Sequence, residues 1–302
     1  MNQVELDSYG RLRDISKAKL DKITAGGKAA MYRASDERLK QERAARGERY
    51  ARLEPVHAAL RSIFEKSPEL ANARGAVMAL PRRESSPRLP HSALSPVPKL
   101  PVVNPGSLHL DNTAPHQTRV WIGEWGDNSL TTAPSADAAT GTMSFFLAPG
   151  HEGSGSASCW AAIGQAYAPP KENGILAFSA SLSYSWSAWW SSALWCEAAG
   201  NLWIGQVINR FDAEGTYIDT PVVTQNSLLS FNDYSLSEVQ NPSGSSAGNT
   251  VSTSLAVEGD LFYECWIWAG GFAAANEVST DNWSHAEVEL SANVRSLVLE
   301  LF

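Results

Sequence analysis

The clearest alternation in the chain runs from Ser181 to Trp190, where Leu182, Tyr184, Trp186, Ala188 and Trp190 take turns with Ser181, Ser183, Ser185, Ser187 and Trp189. A period of two sends the two sets to opposite faces of a β-strand and is foreign to a helix. Val251, Thr253, Leu255 and Val257 alternate in the same way, as do Ala286, Val288, Leu290, Ala292 and Val294 against Glu287, Glu289, Ser291, Asn293 and Arg295. Beyond that point the apolar parity shifts to Leu297, Leu299 and Leu301, which predicts a β-bulge near Arg295–Ser296. Strand-length runs separated by turn clusters such as Ala148-Pro149-Gly150 and Asn241-Pro242-Ser243-Gly244 give about nine strands after residue 118. The fold expected for residues 119–302 is an antiparallel β-sandwich, jelly-roll-like in connection.

The N-terminal part has a different grammar. Residues 2–53 are rich in Arg, Lys, Glu and Ala, with apolar positions thinly spaced at Leu12, Ile15, Ile23, Met31 and Leu39, and helix is favoured by propensity and by pairs such as Glu48 with Arg52. Gly26-Gly27 is expected to break this helix in two, and a third helix is expected to start at Glu54-Pro55, with Val56, Leu60, Ile63 and Phe64 on one face. Ser35 to Arg52 is polar almost all round, so it needs a partner to bury anything. Residues 1–75 thus read as a helical arm. Residues 76–118 read as a linker, because eight of the sixteen prolines fall between Pro81 and Pro115 and favour extended polyproline II.

Charge sharpens the division. Residues 1–118 carry 20 Lys+Arg against 13 Asp+Glu, a net of +7, whereas residues 119–302 carry 4 against 19, a net of −15. The arm is therefore suited to an acidic partner, to its own β domain, or to a neighbouring copy. No run approaches 18 apolar residues and the first 25 lack the apolar core of a secretory signal, so the expectation is a protein made in a cytoplasm, with specialised export left open. Cys159, Cys196 and Cys265 are odd in number and widely spaced, and read as reduced, buried residues, with a Cys196–Cys265 pair as the lesser alternative.

All eleven tryptophans lie after residue 118, five of them within Trp186–Trp203, and the first reading of any one is that it fills the sandwich core. Parity singles out a few. If Leu182, Tyr184 and Trp186 face inward, Trp189 faces outward; if Tyr263, Cys265 and Ile267 face inward, Phe262, Glu264, Trp266 and Trp268 form an outward row. An outward aromatic row with a carboxylate suits a sugar, whose C–H face stacks on indole, or a subunit interface, or a surface covered by the proline strap.

Other chemistry is thin. The stretch around His151 and Glu152 lacks the nucleophile-elbow spacing, and no phosphate-binding glycine loop occurs. Asp212, Glu214 and Asp219 cluster at a turn without matching a calcium loop, and the six histidines form no zinc pattern, so no cofactor or metal is implied and no catalytic residue is assigned. The arm's 13 basic and 8 acidic residues over 2–53 argue against nucleic acid. The sequence therefore points first to non-catalytic recognition or assembly through a protein partner or self-association. A carbohydrate-binding module, alone or as the targeting part of a toxin-like effector, is the alternative, and a hydrolase using His151 and Glu152 ranks third.

Overall fold

The computed structural model describes residues 16–69, 107–110, 117–126, 131–149, 155–169, 173–192, 196–234, 239–275 and 284–301. Among these residues the helix α1 (Lys17–Lys66) precedes thirteen strands: β1 (Ser107–Leu110), β2 (Gln117–Gly126), β3 (Thr131–Thr132), β4 (Ser135–Asp137), β5 (Thr142–Ala148), β6 (Gly155–Tyr167), β7 (Gly174–Ser192), β8 (Ala198–Phe211), β9 (Tyr217–Val223), β10 (Asn226–Asp233), β11 (Ser243–Val257), β12 (Phe262–Ala275) and β13 (Ser284–Leu301). They form two antiparallel sheets. The seven-stranded sheet runs β11-β7-β13-β5-β3, with β1 beside β13 and β4 beside β5; the six-stranded sheet runs β10-β8-β12-β6-β2, with β9 beside β8. Successive strands from β5 to β8, and again from β11 to β13, alternate between sheets, as in a jelly roll.

The sequence-based reading misses four short or polar strands, β1, β3, β4 and β10, whose sequences carry little alternation. Ser107–Leu110 falls within the stretch read as linker and pairs with β13 instead. The register of β13 against β7 shifts between Val294 and Ser296, at the predicted bulge.

The sandwich interior is aliphatic. Met143, Leu147, Leu176, Leu182, Ile208, Ile267 and Leu290 sit at its centre with Phe145 and Phe178, while Trp186 and Trp190 only flank it. Cys159, Cys196 and Cys265 are buried and form no disulfide among the described residues. The expectation that tryptophans fill this core is corrected for Trp121, Trp160 and Trp203, which join Trp266 and Trp268 of the predicted outward row in a second buried cluster with Met31 and Leu39 of α1. That cluster is the outer face of the six-stranded sheet, and α1 is its cover.

Neither predicted interruption of the helix occurs, since α1 is continuous over 50 residues, about 75 Å at 1.5 Å per residue. Pro55 lies within it on an exposed turn, where the hydrogen bond it removes leaves a carbonyl free to water. Gly27 lies within it because of what it faces: a Cβ there would sit 1.8 Å from Glu264 Oε2. Ile23, Gly27, Met31 and Leu39 are all buried and, with half-buried Ser35, fall four apart on one ridge. The ridge runs alongside β12, from Lys19 over the Phe262 ring to Arg46 over the Phe272 ring.

Three anchors hold α1 in place. At its start Lys22 Nζ donates to Glu214 O and Thr216 Oγ1, both 3.0 Å, in the turn before β9. About two-thirds of the way along it Glu197, 1% exposed, accepts from Arg49 Nη1 (3.2 Å), Tyr50 Oη and Tyr234 Oη (2.9 Å). Between them Arg119 Nη2 donates to Glu264 Oε1 at 2.6 Å and to Thr24 O of the helix at 3.0 Å, with its guanidinium 4.0 Å above the Trp266 ring. Asn209 Nδ2 and Trp266 Nε1 donate to the other Glu264 oxygen at 3.2 and 3.4 Å. Burial pushes the Glu264 carboxyl above the usual carboxylate range, against the pull of Arg119, and lowers the Arg119 guanidinium by the same desolvation.

Two predictions follow from this docking. Gly27→Ala forces a methyl into Glu264 and lowers stability by about 1–3 kcal/mol, as overpacking does, whereas Gly47→Ala, which meets nothing within 4 Å, raises it by up to about 1 kcal/mol through helix propensity; urea unfolding of the two variants reads the contrast. Glu264→Leu strands a buried guanidinium and costs about 3–5 kcal/mol, and the Arg119→Met/Glu264→Leu double variant recovers most of that loss in the same measurement.

Candidate functional site

β12, the middle strand of its sheet, positions the sequence-predicted row. Phe262, Glu264, Trp266 and Trp268 do point away from the sandwich interior, as parity requires, but α1 lies over them: Glu264 and Trp266 are fully buried and Trp268 is 8% exposed. Among the described residues the cover is the helical arm; the proline strap, apart from Ser107–Leu110, lies outside them. Trp189 is on the other sheet, buried and edge-on to His285 with ring centroids 4.2 Å apart, and has no place in the row. The structure thus brings together four of the five predicted residues.

Alongside the row, α1 and the sheet leave a half-open cleft of about 350 Å³. Its floor is Trp160 from β6, Trp203 from β8, Trp268 from β12 and Trp121 from β2, with Phe272 at one end. The rings form a continuous layer: Trp121 and Trp160 stack at 6.4 Å, Trp160 meets Trp268 edge-on at 6.1 Å, and Trp203 tilts against Trp268 at 4.3 Å. Such a layer needs room on the sheet. A Cβ on Gly270 would lie 2.2 Å from the Trp203 ring, and one on Gly164 2.5 Å from the Trp266 ring, so glycine on the neighbouring strand is what lets each indole lie flat.

The indole N–H groups are largely consumed inside the protein. Trp160 Nε1 donates to Ser35 Oγ at 2.8 Å, Trp121 Nε1 to Asp36 Oδ1 at 3.0 Å and Trp268 Nε1 to Thr224 O at 3.0 Å. The cleft is thereby offered ring faces and edges of C–H character rather than donors. Its rim supplies polarity: Arg38 Nη1 donates to Gln225 Oε1 at 2.6 Å and Arg38 Nε to Glu42 Oε1 at 3.1 Å, and the buried Asn201 Oδ1 has no hydrogen-bond partner. Sequence reasoning missed Trp121, Trp160 and Trp203. β6 and β8 are buried on both faces along nearly their whole length, so no alternation marks which side each indole takes.

The remaining candidates do not assemble. Asp212 Oδ1 accepts the backbone N–H groups of Glu214 and Thr216, which holds its carboxyl below the usual range, and Asp219 is paired with Arg210 at 2.7 Å. Among the described residues no cluster of three or more metal-ligating side chains occurs, and no helix is long and apolar enough to cross a membrane. His151 and Glu152 lie outside the described residues.

No protein-family model matches the chain, and no curated protein matches it. Among solved structures, the enzymatically active domain of bacteriophage CBA120 tailspike protein 4 aligns at 13% identity and TM-score 0.20 over 61% of this chain and 19% of that one. The CBM22-1 xylan-binding domain of Paenibacillus barcinonensis Xyn10C aligns at 9% identity and TM-score 0.19 over 63% of this chain and 92% of that one. A family 35 carbohydrate binding module from Clostridium thermocellum aligns at 8% identity and TM-score 0.17, over 64% and 97%. The chain spans about a fifth of the tailspike domain's length and matches nearly the whole of either module.

Proposed function

We propose that the chain is a non-catalytic recognition protein that binds carbohydrate in the cleft between α1 and the six-stranded sheet. One observation carries this reading: an indole floor with three of its four N–H groups already bonded faces a cleft of about 350 Å³ rimmed by Arg38, Glu42, Asn201 and Gln225. A pyranose presents a C–H face and a girdle of hydroxyls, and the cleft offers the complement of each: π-faces below, and charged and amide groups at the edge. The volume suits one or two sugar rings, within the range of ordinary ligand pockets.

Binding without turnover is favoured by the same lining. Glycoside hydrolysis uses two carboxyl groups flanking the bond. Among the described lining residues Glu42 is the single carboxylate, held by Arg38 at 3.1 Å. The helical arm, in this reading, is part of the binding site: Ser35, Arg38 and Leu39 form one wall of it. Docking of the arm is thus intramolecular, and it completes a site rather than recruiting a partner.

Affinity electrophoresis on soluble xylan, mixed-linkage β-glucan and β-1,4-galactan is expected to retard the protein on at least one polymer. Trp203→Ala is expected to weaken that binding about 10-fold or more, in the range of aromatic hot spots. Asn201→Ala, which leaves the indole layer intact, is expected to weaken it less. Absence of retardation on all three polymers, or equal retardation of all variants, defeats the proposal.

A further inference from the structure

The opposite face of the molecule carries a second cavity of different chemistry. On the outer side of the seven-stranded sheet a groove of about 670 Å³ is lined almost wholly by hydroxyl and amide side chains. The strand register arranges them in two rows. Ser245, Ser185, Ser291, Ser144 and Ser135 stand opposite one another across β11, β7, β13, β5 and β4. Ser183, Asn293, Thr142 and Asp137 form the adjacent row. Five strands about 4.8 Å apart make the first row about 19 Å long.

The two rows differ in how they are satisfied. The second, apart from Ser183, is bonded to itself and to the turn at Thr140: Asn293 Nδ2 donates to Thr140 O at 2.8 Å, Thr140 Oγ1 lies 3.0 Å from both Asp137 Oδ2 and Thr142 Oγ1, and Asp137 Oδ1 accepts the Ala139 N–H at 2.8 Å. Those contacts hold the Asp137 carboxyl below the usual carboxylate range and fix the rim of the groove. The first row has no hydrogen bond to another described residue, so five hydroxyls face the groove with their donors and acceptors unspent. At the groove's centre Ser183 is 2% exposed, lines the cavity, and its Oγ has no hydrogen-bond partner. A buried hydroxyl without a partner is uncommon in a folded protein and is open to a hydrogen bond from a bound group or water.

We propose that this groove is a second binding site, for a neutral oligosaccharide lying across the strands. The lining contains no cation to hold an anionic ligand, and its one carboxylate, Asp137, is already committed to the turn that follows β4. An apolar ligand gains nothing from a floor of hydroxyls, whereas a chain of neutral sugars exchanges hydroxyl for hydroxyl along the serine row. This site is independent of the tryptophan cleft, which lies on the other sheet.

Calorimetric titration of the full chain with xylohexaose, cellohexaose and maltohexaose, with hexagalacturonate as the charged control, tests it. Saturable binding of at least one neutral hexasaccharide is expected. Ser291→Trp, which fills the middle of the groove, is expected to lower that affinity at least 10-fold, and Ser185→Ala/Ser291→Ala a few-fold, with the thermal unfolding of both variants unchanged. In the same titrations Trp203→Ala keeps the groove's affinity if the two sites are separate. Three results overturn the proposal: no neutral hexasaccharide binds, hexagalacturonate binds more tightly than any of them, or Ser291→Trp binds as the parent does. A parent-like Ser291→Trp with a silent Trp203→Ala assigns all binding to the cleft; loss in Ser291→Trp alone sustains the groove even if the cleft reading fails.

Discussion

The structure hangs on the close approach of a helix backbone to a buried ion pair. Gly27 brings α1 down until its Cα faces the Glu264 carboxylate, and Arg119 bonds both that carboxylate and the helix carbonyl of Thr24. Everything else about the covered face is subordinate to this contact. Were α1 held a few ångströms higher, Trp121 and Trp160 would lose Asp36 and Ser35 as acceptors, and a layer of five indoles would be left in water. A patch of that kind is a liability for an isolated soluble chain. A buried pair adds little net stability because desolvation offsets its attraction, but it specifies where the helix sits.

Volume is exchanged across this interface in an unusual direction. In most helix-on-sheet packing the helix supplies the large apolar side chains; here the sheet supplies indoles, and the helix supplies Gly27, Ser35, Met31 and Leu39 along a narrow ridge. Glycines on the strands, such as Gly164 and Gly270, give the rings space to lie flat, so one layer of aromatic carbon separates sheet from helix. The cover is incomplete, since α1 and the sheet leave a gap beside the ridge. The uncovered part is the cleft.

The two outer faces of the sandwich therefore have opposite chemistry for one reason. The six-stranded sheet is covered, so its outward positions can be aromatic, and the polar groups beneath the helix, Arg119, Asn209 and Glu264, are bonded to one another. Among the described residues no helix lies over the groove of the seven-stranded sheet, and its outward positions there are chiefly serine, threonine and asparagine, side chains that water satisfies when nothing else does. In the proposed reading both faces meet sugars, one through ring faces and the other through hydroxyls.

Much of this was legible from residue order. Strict alternation in β7 and β13 fixed which side of each strand faces inward, and the parity slip after Val294 located the bulge. The same reasoning put Glu264, Trp266 and Trp268 on the outward side of β12, and the opposite charges of the two parts of the chain anticipated that they could meet. What the order of residues does not contain is the identity of the cover. A ridge of Ile23, Gly27, Met31, Ser35 and Leu39 lacks the apolar stripe that marks a packed helix, and Gly26-Gly27 reads as a break, because propensity is a local quantity and closeness to Glu264, 237 residues later, is not. Likewise β6 and β8 are apolar on both faces, so only the tertiary structure decides that Trp160 and Trp203 belong to the cleft rather than to the core. The sequence by itself determined the alternating strands and their faces, since a side chain's side of such a strand follows from counting; the short polar strands, the faces of β6 and β8, and which faces would be covered and by what, were decided by packing between segments that lie far apart in the chain.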